Sequence, residues 1–198
     1  MSTTYQNTSA DTLLGAALAP LDWTRSVSLV FAFSLFTALA AQISIPMRPV
    51  PITGQTFAVL LTGALLGSRL GAAAMIVYLM EGAIGLPFFS EGRGGIGHLF
   101  GLTGGYLVAF PAAAFITGAF AENGWDKRFF TAAAAMAVGS FVIILAGWAW
   151  LSQFMPASAA FEAGVKPFII GDIVKIVLAA ALLPTGWKLL KRKGPKAK

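Results

Sequence analysis

The 198-residue chain has no cysteine and a single histidine, His98. Without thiols it can form no disulfide, hold no iron–sulfur cluster and use no cysteine nucleophile. One imidazole excludes any multi-histidine metal site. Charge is scarce as well. Only 11% of residues are charged, against ~25% in an average soluble domain. Low charge beside 57% hydrophobic residues excludes intrinsic disorder. It leaves little room for a soluble catalytic domain. It also argues against a nucleic-acid module, despite a net charge of +6. Enzyme signatures are missing too: there is no Gly-x-Ser-x-Gly and no His-Glu-x-x-His. The small-residue run from Gly63 to Gly71 is not followed by Gly-Lys-Ser/Thr, so it is no phosphate loop. Any active transport must therefore draw its energy elsewhere.

What the chain does have is apolar length. A single water-soluble globule could not bury so much of it, so lipid must cover part. A membrane-spanning helix needs ~20 mostly apolar residues. Residues 26–45 form one such stretch, stopped by Pro46, Pro49 and Pro51. Residues 52–90 are too long for one span and short for two. They divide at Gly67-Ser68-Arg69 into two shortish helices, about 53–67 and 70–85, the second ended by Pro87. Residues 86–105 read as a loop, with seven glycines from Gly92 to Gly105. Further spans fall at 104–121, with a kink at Pro111, at 129–151, and at 168–190. Residues 152–167, with Pro156 and Pro167, read as a loop. The expected fold is all-α: a six-transmembrane-helix bundle over 26–190, with an N-terminal tail (1–25) and a basic tail (191–198).

Basic residues orient the bundle. With the N-terminus inside, the inner flanks hold ten: Arg25, Arg69, Lys127, Arg128 and six from Lys188 onward. The outer flanks hold three, Arg48, Arg93 and Lys166. This excess places both termini in the cytoplasm. The first basic residue is Arg25, so residues 1–24 lack the basic start of a secretory signal. Trp23, Trp125 and Trp187 would sit at the inner interface, with Trp148 and Trp150 nearer the outer one.

Two charges stand out inside a span. Asp172 and Lys175 are three apart and share one helix face. They are either a structural ion pair near the interface or a polar ligand site near the outer end of the bundle. The outer loop adds Glu91, Arg93 and His98, followed by Thr103-Gly104-Gly105-Tyr106. Glycines there would let backbone approach a ligand, and Arg93 can fork a carboxylate. His98 reads as a solvated loop residue, and Glu81 as interfacial. Gln55, with donor and acceptor, is either a ligand contact or an interhelical hydrogen bond. Small residues at spacing four (Ser34/Ala38, Thr37/Ala41 and Gly63/Gly67/Gly71) either pack helices within the chain or dock a partner.

Several stretches, in order, resemble the BioY family. They are Pro49-Val50-Pro51-Ile52-Thr53-Gly54-Gln55-Thr56-Phe57, Gly63-Ala64-Leu65-Leu66-Gly67-Ser68-Arg69-Leu70-Gly71, Gly85-Leu86-Pro87, Gly94-Gly95, Thr103-Gly104-Gly105-Tyr106, and Pro167-Phe168-Ile169-Ile170-Gly171-Asp172-Ile173-Val174-Lys175. The resemblance implies an integral membrane protein that binds biotin on its outer side, with Asp172 and Lys175 as contacts. Biotin's ureido ring offers two N–H donors to a carboxylate and a carbonyl acceptor to an ammonium. A polar residue of the glycine-rich loop, an asparagine in one branch of the family, corresponds to Arg93, which would hold the valerate carboxylate. Gln55 and Tyr106 lie in matching motifs. The resemblance also implies a transmembrane coupling subunit and a pair of ATP-binding cassette ATPases as partners. An Ala-x-x-x-Ala-type patch on the first helix would dock the coupling subunit, here through Ser34/Ala38 or Thr37/Ala41. No cofactor is implied beyond biotin as cargo. The alternatives are a subunit for another vitamin, a transporter that works without the ATPases, and an intramembrane enzyme with Asp172 as base.

Overall fold

A computed structural model describes residues 12–18 and 21–193. The expected tails, 1–25 and 191–198, fall in large part outside the described residues. A short helix α1 (Leu13–Leu18) is followed by α2 (Trp23–Gln42). The Asp22 carboxylate accepts the Arg25 backbone N–H at 2.8 Å and caps α2. The proline-rich segment forms a small hairpin, β1 (Ser44–Ile45) antiparallel to β2 (Ile52–Thr53). Then come α3 (Gln55–Leu66) and α4 (Ser68–Ala83). The break falls at Gly67, which has φ 88°, a conformation that disfavours side chains. Glu122 caps the new start, accepting the Ser68 N–H at 2.8 Å and its hydroxyl at 3.0 Å.

The glycine-rich segment is more ordered than expected. It holds a 3₁₀ turn (Ser90–Gly92) and the short helix α5 (Ile96–Leu99). Next come α6 (Gly104–Glu122), unbroken at Pro111, and α7 (Phe129–Leu151). The segment expected as a loop before the last span contains α8 (Ala157–Gly164), and α9 is Lys166–Lys193.

Four stretches among the described residues are long and apolar enough to cross a membrane: α2, α6, α7 and the α8–α9 region. At 12 and 16 residues, α3 and α4 rise about 18 and 24 Å, short of the ~30 Å hydrocarbon core. Helix α6 is the centre. Its span is 61% buried, against 28% for the last one. The outward faces of α2 and α9 are apolar, with Phe31, Leu35 and Leu39 on one and Ile170, Ile173 and Val177 on the other.

The docking assignment on the first helix needs correction. Ser34, Thr37, Ala38 and Ala41 are buried within this chain, at 0, 0, 4 and 0% exposure. The Ser34 hydroxyl donates to the Glu81 carboxylate, and Thr37 lies against the Met75 sulfur at 3.9 Å. Small residues here let α2 approach α4, so none of the four faces outward. The glycine run does the same. Gly63 meets Ala114 of α6, and Gly71 meets Gly63.

Candidate functional site

Three helices bring their polar residues to one point. Asp172, in the second turn of α9, is 4% exposed. Its carboxylate accepts the Ser140 hydroxyl from α7. Lys175, one turn on, lies 3.3 Å from the other carboxylate oxygen. Its ammonium also donates to the Thr56 hydroxyl of α3 at 2.7 Å. Each charge therefore has a neighbour from another helix. A lone ionised group at this depth would be costly. The pair is built into the bundle and does not reach out to solvent.

Beside Thr56, the Gln55 side chain is also buried. Its carbonyl accepts the Thr53 hydroxyl at 2.9 Å, and its amide donates to the Tyr78 hydroxyl at 2.5 Å. Tyr78 in turn donates to the Phe88 carbonyl at 3.1 Å. Tyr106 stacks on Phe168, with centroids 5.9 Å apart, and donates to the Gly164 carbonyl at 2.8 Å. Its ring is left as an apolar wall.

Above these residues lies a cavity of about 30 Å³, walled by Gln55, Thr56, Tyr106, Phe110 and Phe168. Next to it is a wider vestibule of about 810 Å³, lined mainly by the hairpin and the glycine-rich segment. Pro51, Ser90, His98 and Thr103 border both. Arg93 lines the vestibule, with its side chain 61% exposed and paired with Glu91 at 2.5 Å. Arg48 lines the same space from the hairpin.

The structure thus joins Asp172 and Lys175 directly, sets Gln55 and Tyr106 against the adjoining cavity, and holds Arg93 apart in the vestibule. Residues that sequence reasoning passed over are Ser140, Thr56, Tyr78 and Arg48. Ser140 carried a readable signal, a lone hydroxyl in the middle of an apolar span. Thr56 stands next to a residue already singled out. Tyr78 gave no signal, since a tyrosine in an apolar helix reads as packing.

His98 also sits differently from expectation. It is partly buried, stacked on Phe89 at 5.3 Å, with Nε2 3.3 Å from the Thr103 hydroxyl. Burial, and then the positive charge of Arg93, push its pKa below the ordinary 6.5, while Glu91 pulls it up. The unfolded state therefore binds this proton more readily, and stability falls as pH drops below the ordinary value. Thermal melts in detergent should match between pH of about 7 and 8. Below about 6.5 the melting midpoint should fall less in His98→Gln than in the wild type. Equal acid sensitivity would remove His98 from this role.

An apolar helical bundle with a buried polar pair, tied through Thr56 to the wall of a small cavity, defines an integral membrane protein. The chain belongs to the BioY family, whose profile matches residues 6–192. A Pyrococcus horikoshii protein described as a probable biotin transporter BioY is 44% identical over 159 residues, which is 80% of this chain and 93% of that one. The biotin transporter BioY of Thermotoga maritima is 39% identical over 153 residues, covering 75% and 89%. A crystal structure of the S-component for biotin from an ECF-type ABC transporter shares the fold. Its TM-score is 0.75 at 24% identity, over 86% of this chain and 93% of that chain.

Proposed function

We propose that this chain is the biotin-binding membrane subunit of an energy-coupling factor transporter. The observation that carries the reading is the Asp172–Lys175 pair, bonded to Ser140 and to Thr56, which lines the small cavity. The carboxylate and ammonium match the N–H donors and the carbonyl of a ureido ring. Tyr106, Phe110 and Phe168 offer an apolar wall for the fused rings. Gln55 contacts the ligand from the side. The valerate carboxylate points to the vestibule, where Arg93 and Arg48 supply positive charge. Relatives described as transporters, with no nucleophile motif in this chain, set the enzyme alternative aside.

In this reading α3 and α4 complete a six-span bundle with the four long helices, and both termini face the cytoplasm. The ten-to-three excess of basic residues supports this orientation. Leu13 of α1, beside Gly186 near the end of α9, puts these two helices' ends on one side of the bundle. Coupling subunit and ATPases supply the energy, since the chain has no phosphate loop. With the four inward residues excluded, the small residues left exposed at spacing four on α2 are Thr24, Ser28 and Ala32, with Phe31 beside them. That outward face is the docking surface for the coupling subunit.

The test is equilibrium binding of labelled biotin to purified protein in detergent. Saturable one-to-one binding, displaced by unlabelled biotin but by neither thiamine nor riboflavin, is expected. Well-folded protein without saturable binding would overturn the reading. Biotin uptake in cells lacking the coupling subunit would show instead a transporter that needs no ATPases.

A further inference from the structure

Of the four bonded residues Asp172, Ser140, Lys175 and Thr56, it is Thr56 that lines the inner cavity. Its hydrogen bonding sets it apart from the other helical threonines. An ammonium donates and never accepts, so in the 2.7 Å bond from Lys175 the Thr56 oxygen is the acceptor. The hydroxyl hydrogen must therefore go elsewhere. A threonine inside a helix can give it to the carbonyl four residues back. Thr37, Thr62, Thr117 and Thr185 all do so, donating to Phe33, Ala58, Ala113 and Ala181 at 2.7 to 2.9 Å. Thr56 is the second residue of α3, so no helical turn precedes it. Although it is only 9% exposed, no acceptor for its hydrogen is found among the described residues. That hydrogen is left for whatever occupies the cavity.

Lys175 has a hydrogen to spare as well. Its ammonium carries three, and the bonds to Thr56 and Asp172 use two. Two unspent hydrogens thus sit on neighbouring atoms 2.7 Å apart. A carbonyl oxygen has two lone pairs and can accept both. The bond from Lys175 also polarises the Thr56 hydroxyl and makes it the stronger donor.

We infer that Thr56 is a specificity-determining contact, whose hydroxyl donates to the ligand's ureido oxygen beside Lys175. The inference rests on the biotin-binding reading and adds a second donor at that oxygen. Asp172 selects the N–H groups of the ureido ring, and the Thr56–Lys175 couple selects a strong acceptor between them.

The test is equilibrium binding of biotin and of 2-thiobiotin, in which sulfur, a weak acceptor, replaces the ureido oxygen. Thr56→Val keeps the shape of the side chain and removes the hydroxyl. It should bind biotin about thirtyfold more weakly than the wild type, the loss expected for one buried hydrogen bond. It should bind 2-thiobiotin only about threefold more weakly, so its preference for oxygen falls about tenfold. Thr56→Ala, which adds no bulk, should show the same fall. Thr56→Ser keeps the hydroxyl and should stay within about threefold of the wild type for both ligands. Equal losses for the two ligands in Thr56→Val and Thr56→Ala would make Thr56 a prop for Lys175 and overturn the contact. So would unchanged biotin binding in those variants, or a serine variant that behaves like the valine one. A folded wild type that binds neither ligand would instead overturn the biotin reading itself.

Discussion

Lys175→Met should bind biotin at least ~100-fold more weakly than the wild type, the loss expected for removing one partner of a buried, hydrogen-bonded charge pair (~3–5 kcal/mol). The ammonium makes two contacts that methionine cannot make, at 2.7 Å to Thr56 and 3.3 Å to Asp172. It is also the donor assigned to the ureido carbonyl. Removing it leaves Asp172 as a buried carboxylate with only Ser140, which weakens the fold as well as the site. Asp172→Asn and the double variant separate the two effects. The double variant carries no unpaired charge, so it should melt higher than Lys175→Met. Its biotin binding should stay lost. Isothermal titration in detergent, alongside thermal melts, gives both readings. Wild-type affinity in the double variant would remove the pair from the site.

That pair shows how far the chain could be read in one dimension. The spacing of Asp172 and Lys175 is a local fact, visible because both charges interrupt an apolar run. Their outside partners are not local. Thr56 lies 119 residues away, and Ser140 lies 32 away. Only the fold brings them in. The four long spans were legible for a similar reason, since lipid demands long apolar runs; Gly67 marks the break between α3 and α4 because its φ of 88° suits glycine. Helix α8 escaped notice because its eight residues, after Pro156, are too few for periodicity to show. Small residues at spacing four were ambiguous in principle. Ser34 and Thr37 permit close approach on any side, and only their bonds to Glu81 and Met75 show that the approach is inward. Arg93 was legible as a loop arginine, but its pairing with Glu91 was not used.

Gly63→Leu should abolish a stable bundle, and Gly63→Ala should weaken it in the same direction. A Cβ at Gly63 would lie 2.2 Å from the Ala114 carbonyl oxygen and 2.9 Å from its carbonyl carbon. Both are backbone atoms of α6, so no side chain can rotate away. The neighbouring contact is as tight, since a Cβ at Gly118 would lie 2.4 Å from the Gly67 carbonyl carbon. Two glycines, one on each helix, thus set how closely α6 meets α3 and the break before α4. In lipid no hydrophobic gain compensates for parted helices, so close packing carries more of the stability than it does in water. Overpacking a core typically costs ~1–3 kcal/mol, and a fixed backbone neighbour puts Gly63→Ala at the upper end. The effect should reach the site, because α3 carries Gln55 and Thr56 on the same rigid element. Gly97→Ala is the matched control, with nothing within 4 Å of its added carbon. Thermal melts and size-exclusion profiles in detergent should show Gly97→Ala unchanged, Gly63→Ala melting lower, and Gly63→Leu aggregated. A Gly63→Leu protein that melts like the wild type would mean that α3 and α6 do not meet at this point.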